Sequence, residues 1–468
     1  MFIDQIVNNL TRIQFGIFGD FSKSEGFTGR SYDNLTTVHP VSFIMLMVTC
    51  IAIFACSRRG AIIAFFGMIC FTGQAQRLVF FGVDFDFTRV LILVSFARIL
   101  LRKEFLAFQV FILDWLILSW ALSTITATTL LWLDPGPVQR VLGHLLNSVG
   151  AYLVFRIMVT TPDDAIAVIK GLAVIAIPTS LLFIVEMFTS RNLFSSFGGV
   201  PEFTIIREGK LRCQGAFPHP IVAGCFWAAC VPTFVALVAG IGNSRVLGFF
   251  GTGCALVIVF ASTSSTPVFG LLAVVIGLGF WWIRFLVTPS LIATLVAIPT
   301  LHMVMKAPVW HLISRISAVG GSTSDHRYQL IDQCIKRFDE WAFIGTKSTL
   351  HWGHFLFDVA NYYVVQCVNG GLATFLLFMA ILITAFSLVN RTLNCHGDDD
   401  IPPYLVWAAG TCLLVHSFCF IGLAYFGQIT QLLFLHLAII AGLFSWSSQD
   451  AIEDDEDGWE HATFSEEI

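Results

Sequence analysis

Charge is what this sequence has least of. Only 12% of its 468 residues are Asp, Glu, Lys or Arg, against about 25% in soluble domains. That shortage excludes an ordinary water-facing surface, and no nucleic acid is expected as a partner. The 12 cysteines include no CxxC pair, and most lie inside apolar runs. They read as small hydrophobes and not as a zinc or disulfide framework. Cys213 and Cys334 lie in polar stretches, where a bridge between them is one option. An HExxH motif, an acidic DxD sugar-nucleotide signature and a P-loop are all read as absent, so the expected chemistry needs no metal, no nucleotide and no other cofactor. Residues 1–38 lack an apolar core followed by a small-residue cleavage site, so no cleavable signal peptide is expected. No internal repeat marks two matching halves.

What fills the chain is hydrocarbon. Hydrophobic residues make up 56%, and the mean hydropathy is +0.80. Apolar runs of about 20 residues, each long enough to cross a bilayer, recur throughout. They are long and uniformly apolar instead of short and alternating, so helices are expected and barrel strands are not. The fold class read from this is an all-α polytopic integral membrane protein with about 12–13 transmembrane helices. Predicted spans are 41–56, 61–75, 88–101, 106–131, 141–160, 166–187, 219–241, 247–262, 267–283, 287–304, 358–389, 402–421 and 427–446. Residues 1–40 form a polar N-terminal segment, with an in-plane amphipathic helix expected over 1–20. Residues 41–446 form the membrane domain, and 447–468 an acidic, disordered tail. Arg58, Arg59, Arg102, Lys103, Arg245, Arg284 and Arg391 fall on one side by span parity, which is taken as cytoplasmic. Loops 188–218 and 305–357 then both lie outside, and the N-terminus does so too if there are thirteen spans.

Two polar stretches carry the candidate chemistry. The first is REGKLRCQGAFPHP, residues 207–220. Arg207, Lys210 and Arg212 are spaced too irregularly for one helix face, and Gly209 and Gly215 permit turns. Arginine presents a fixed fork of donors suited to phosphate oxygens and does not deprotonate. A clamp on a lipid-linked phosphate is one reading, and ordinary loop charge or headgroup contact is the other. His219, before Pro220, sits near the N-cap of a span, where it donates to an anion or simply caps. The second stretch is 320–361. Tyr328, Ile331, Ile335 and Phe338 recur at helical spacing, predicting a short amphipathic helix with Ser324 as N-cap. His326 and Arg327 fall in its first turn, where the helix dipole disfavours a cation and a bound anion would favour one. Asp358, Asn361 and Asn369 fall on one stripe of the following span, which reads as function or as interhelical hydrogen bonding. Gly370-Gly371 predicts a kink or close approach. Asp114 is expected to pair with a basic neighbour, and His144, His302, His416 and His436 to be satisfied core histidines.

Set in order, these features resemble the O-antigen ligase and polymerase superfamily, the Wzy-type membrane glycosyltransferases, over roughly residues 60–445. QRLVFFGVDFDFTRVLIL is similar to that family's early outer segment, which places Arg77 and Arg89 among substrate contacts. Arg212-x-x-Gly215 with His219-Pro220 is similar to its arginine-plus-HP approach to a span. ASTSSTPVFGLLA, SDHRYQLIDQCIKRF with Gly345, and DVANYYVVQCVNGGLATF resemble its later elements. The ligases share a His-Asn pair followed nine residues later by glycine. Here Asn361 and Gly371 keep that spacing, but Ala360 stands in the histidine position.

The resemblance implies a metal-independent polysaccharide polymerase more than a ligase. Its donor would be an undecaprenyl-diphosphate-linked glycan, and it would work on the outer face of a bacterial inner membrane. Arg212 and Arg327 would hold the diphosphate, and Asp358 or, second, His354 would act as base. Arg207, Lys210, His219, His326, Asn361, Arg77 and Arg89 would contact substrate. Membrane lipids, a flippase and a chain-length regulator are the implied partners. The alternatives are a ligase passing polymer to another acceptor, a flippase or transporter of lipid-linked oligosaccharide, and a non-enzymatic assembly component.

Overall fold

A computed structural model describes residues 36–80, 83–315, 323–394 and 401–465. The helix expected over residues 1–20 lies outside the described residues. The chain is 76% helical with almost no sheet. In order the main elements are α1 (Pro40–Ala55), α2 (Arg58–Phe71), β1 (Arg77–Phe80), β2 (Val83–Asp86), α3 (Phe87–Leu101), α4 (Ile112–Trp132) and α5 (Pro135–Met158). There follow α6 (Pro162–Thr189), β3 (Ile205–Arg207), β4 (Lys210–Arg212), α7 (Pro220–Val238), α8 (Arg245–Ala261), α9 (Ser265–Phe280) and α10 (Val287–Val304). The last are α11 (Thr323–Lys336), α12 (Tyr362–Asn394), α13 (Pro403–Cys419) and α14 (Gln428–Ser465). Seven helices are long and apolar enough to cross a membrane, and four more are shorter apolar helices. The architecture is that of an all-α, polytopic membrane-embedded protein.

Every predicted apolar run contains a helix, with shifted ends. α4 starts at Ile112 and not near 106, because a tight turn over Glu104–Ala107 precedes it. Asp114 caps that start by accepting from the Phe111 N–H at 2.7 Å. The same carboxylate accepts from the Tyr152 hydroxyl at 2.5 Å and lies 3.8 Å from Arg156 Nε, the basic partner expected for it. At the other end of the chain a correction is needed. The acidic stretch expected to be disordered continues α14 as helix through Ser465, since extending an anchored helix adds one backbone bond per residue.

The packing is built around α7, most of whose residues are buried. It lies against α8, α9 and α13, while α4 packs on α12, and α14 packs on α5. Large apolar side chains on the outer surface stay uncovered, among them Trp282, Phe188 and Val275. In water such a surface would aggregate, and against acyl chains it is matched. His416 and His436 are satisfied inside the bundle. The Tyr425 hydroxyl lies 2.7 Å from His416 Nδ1, and His416 Nε2 lies 3.0 Å from His436 Nδ1.

The polar segments gather at one end of the bundle. Gln76 Nε2 donates to the carbonyls of Phe197 and Gly198, and Gln428 Nε2 to those of Ile69 and Ala216. Arg102, Arg58 and Arg59 sit at the opposite end, where Arg59 meets Asp164 at 2.5 Å and Arg58 meets Thr160 at 3.3 Å.

Candidate functional site

The first polar loop owes its shape to a buried acid. Glu186, fully enclosed near the end of α6, accepts from the Thr204 hydroxyl and from the backbone N–H groups of Gln214 and Gly215, at 3.0–3.1 Å. Gly215 has φ +57°, and a Cβ there would come within 2.3 Å of the Phe183 ring, so only glycine suits the turn. Ahead of it β3 and β4 form a hairpin whose tip, Glu208-Gly209, takes positive φ at both residues. The hairpin is tied to the α8–α9 connection. The Cys213 N–H donates to the Ala261 carbonyl at 3.1 Å, and the Thr263 hydroxyl to the Leu211 carbonyl.

That tie aims Arg212 at the start of α9. Its side chain is buried, and its Nη2 donates to Ser264 Oγ at 2.5 Å. Arg207 and Lys210 stay exposed at the hairpin tip, with Arg207 3.8 Å from Glu208. From the second polar stretch, α11 brings Arg327 to the same place. Its Nη2 donates to Thr266 Oγ1 at 2.8 Å and lies 3.4 Å from Ser265 Oγ. Gly422 lets it in, because a Cβ there would lie 2.9 Å from Arg327 Nε. Arg212 and Arg327, more than a hundred residues apart, therefore converge on three consecutive hydroxyl residues. Ser264 is the N-cap of α9 yet makes no capping bond, its hydroxyl being engaged by Arg212.

Neither guanidinium has an ion-pair partner among the described residues. Arg212 Nε, also buried, has no hydrogen-bond acceptor. Burial holds both below the usual arginine range; at Arg212 the charge of Arg207 adds to it and that of Glu208 offsets part of it. Two buried cations with no acid in salt-bridge contact are costly. An uncapped helix N-terminus beside them favours an anion. Together they suit a ligand carrying several anionic oxygens. His219 borders the cluster. Its Nδ1 accepts from the Ile221 N–H at 3.2 Å, capping α7. Burial, then Arg212 and Arg207, lower its pKa to about 4. At neutral pH the ring is uncharged, and with Nδ1 accepting, Nε2 carries the proton and serves as a donor.

The proton-accepting candidates lie further out. Asp358 and His354 are exposed on the loop before α12, with the His354 ring stacked on Phe355 at 4.2 Å. His326 reaches that loop, its Nε2 lying 3.0 Å from the Phe355 carbonyl. The expected stripe of Asp358, Asn361 and Asn369 does not form. α12 starts at Tyr362, and Asn361 caps it, accepting from the Val364 N–H at 3.1 Å and donating to the Ile421 carbonyl at 3.2 Å. Asp358 precedes the helix, and Asn369 is exposed. One further correction concerns α11. The helix forms as the spacing predicts, burying Ser324, Arg327, Leu330 and Cys334 and leaving Ile335 exposed. Ser324 lies inside the helix, which begins at Thr323, and does not cap it. Cys213 and Cys334 are both free thiols.

Arg77 and Arg89 belong to a different cluster, around the β1–β2 hairpin. Arg77 Nη1 meets Asp84 Oδ2 at 2.7 Å, and Arg89 Nε lies 3.5 Å from Asp86 Oδ2. Asp84-Phe85-Asp86 spells DxD, which corrects the expectation that no such doublet is present. Its carboxylates serve as partners of the two arginines. Sequence reasoning also missed Glu340, which gathers His351 at 2.7 Å, Arg337 at 2.7 Å and Trp352 at 3.0 Å and so shapes the second polar loop. A lone Glu among loop residues carries no pattern that would have marked it. No family model matches the chain, and none of the curated proteins compared with it does.

Proposed function

We propose that this protein is a membrane glycosyltransferase that polymerises undecaprenyl-diphosphate-linked oligosaccharide repeat units into a surface polysaccharide. The observation that carries the proposal is the convergence of Arg212 and Arg327, both buried and without acid partners, on Ser264, Ser265 and Thr266 at an uncapped helix start. In this account the 12–13 spans expected from the sequence cross a bacterial inner membrane, and the end bearing the two arginines faces the periplasm. A flippase would deliver the substrate, and a chain-length regulator would act on the product.

The reaction needs a hydroxyl of the acceptor glycan to attack the anomeric carbon of the donor sugar. The bond from that carbon to the diphosphate oxygen breaks, and the electron pair leaves with the diphosphate. Arg212 and Arg327 stabilise the charge that develops there, in a site shielded from water. His219 Nε2–H adds a neutral donor. Asp358, or His354 in second place, accepts the proton from the attacking hydroxyl. Both lie on the loop that His326 ties to α11.

Purified protein in lipid, given only a synthetic undecaprenyl-diphosphate-linked repeat unit, is the test. Lengthened chains that vanish in Arg212→Ala and Arg327→Ala support polymerisation. Transfer to a lipid or core acceptor without lengthening would mean a ligase. Movement across the bilayer with the unit unchanged would mean a flippase.

A further inference from the structure

A cavity of about 230 Å³ opens beside the β1–β2 hairpin, bounded by the starts of α3 and α14 and by α5. At about 30 Å³ per liquid water, it offers the room of about eight waters, enough for one small ring. Its charges balance. Arg77 and Arg89 stand against Asp84 and Asp86, two positive and two negative. This differs from the Arg212–Arg327 cluster, where among the described residues no acid is in salt-bridge contact with either arginine. A balanced lining disfavours an anion and a cation alike.

Its buried polar atoms are the second observation. Asn147 Oδ1, Gln431 Oε1 and Thr430 Oγ1 all belong to lining residues that are more than nine-tenths buried, and none has a hydrogen-bond partner. The amide orientations are fixed from behind. Asn147 Nδ2 donates to Asp86 Oδ2 at 2.9 Å, and Gln431 Nε2 donates to the Asn147 carbonyl at 3.1 Å. Both amides are thereby committed to presenting oxygen acceptors. Buried acceptors left empty cost about 1–3 kcal/mol each, so the lining calls for a ligand that brings several donors. Phe426 adds an aromatic wall.

We infer that this cavity binds a neutral, hydroxyl-rich ring, a single uncharged sugar residue. Hydroxyl groups supply both the donors that Asn147 and Gln431 need and the acceptors that the arginines can meet. The cavity also adjoins the anion cluster. A Cβ on Gly427, in its wall, would lie 3.2 Å from Pro218, the residue before His219. A glycan whose diphosphate sits on Arg212 and Arg327 would have a sugar close by. That assignment of the sugar to the glycosyl substrate rests on the proposed function, whereas sugar binding itself does not.

Saturation-transfer NMR on the full chain in lipid nanodiscs tests it, using the methyl glycosides of glucose, galactose, mannose and N-acetylglucosamine, with glucuronate as the charged comparator. At least one neutral glycoside should bind. Gln431→Leu and Asn147→Leu should each weaken it about fivefold to tenfold, the size of one lost hydrogen bond. Thr430→Val, which keeps the shape, should weaken it less. Arg212→Ala should leave binding intact, and inorganic diphosphate should not compete. No response from any neutral glycoside, a stronger response from glucuronate, or loss of signal in Arg212→Ala would each overturn the inference. Binding of inorganic diphosphate, read in the same samples by phosphorus NMR, separates the two claims. Sugar binding without diphosphate binding sinks the proposed function alone, and the reverse result sinks this inference alone.

Discussion

Arg212 and His219 are seven residues apart in sequence and share one electrostatic problem. Each sits where burial opposes charge, and each responds as its chemistry allows: the arginine keeps its proton and the histidine gives its up. The pKa of His219 falls to about 4 from 6.5. Between those values the unfolded chain binds more protons than the folded one, so stability rises with pH across the window. The contribution is complete above pH 6.5 and is lost as the pH falls toward 4, up to about 3 kcal/mol. Thermal melting of the wild type and His219→Gln, scanned from pH 7 to pH 4, should converge toward the acid end. Parallel curves would contradict it. Arg212→Lys keeps charge but loses the planar fork. Polymer formation should fall by about thirtyfold or more, reflecting a loss of about 2 kcal/mol of transition-state stabilisation. A lysine variant of normal rate would leave Arg212 a surface-charge role only. The sequence marked both residues, because a charged loop leading into an apolar run is conspicuous. It hid the role of Glu186, whose three bonds to distant backbone and hydroxyl groups follow no spacing rule.

At the scale of elements, α9 and α12 do the positioning. α9 offers its uncapped start to both arginines. α12 is broken at Gly371, with φ +71° and ψ −169°, and the second polar loop is stitched into the break. The Leu372 N–H donates to the Ala342 carbonyl, and the Thr346 N–H to the Val368 carbonyl, both at 2.8 Å. Gly345 makes this possible, since a Cβ there would come within 2.1 Å of the Val368 carbonyl oxygen, at φ +85°. Gly345→Ala should destabilise the segment by about 2–4 kcal/mol, combining backbone strain with a clash against main chain. Faster hydrogen exchange over 337–357 with little change in α7 is the expected readout, and uniform exchange would contradict it. The Gly370-Gly371 pair announced a break in advance. The facing of α11 was less legible: the spacing of Tyr328, Ile331 and Ile335 marked a helix, but not that its buried side carries Arg327.

For the molecule as a whole, the helical membrane fold was legible because hydrocarbon runs of bilayer length have few other uses. Pairing was less legible. That α7 would be the central helix does not follow from its hydropathy, which resembles that of α6 and α12. The hairpin tip and the second polar loop gather at one end, so the proposed function puts both on the outer side. Lys210→Cys and Ser348→Cys should label from the same side of intact cells, and the native Cys56, at the turn between α1 and α2, only after permeabilisation. Opposite labelling of the first two would break the shared site.

The most direct test of the central claim is the affinity of undecaprenyl diphosphate for the protein in nanodiscs. We predict binding that weakens about tenfold to a hundredfold in Arg212→Ala and again in Arg327→Ala. Arg77→Ala, from the charge-balanced cavity, should leave the diphosphate affinity unchanged. Equal affinity in the wild type and both single variants would contradict the account, because two buried guanidinium groups would then be serving something other than an anion.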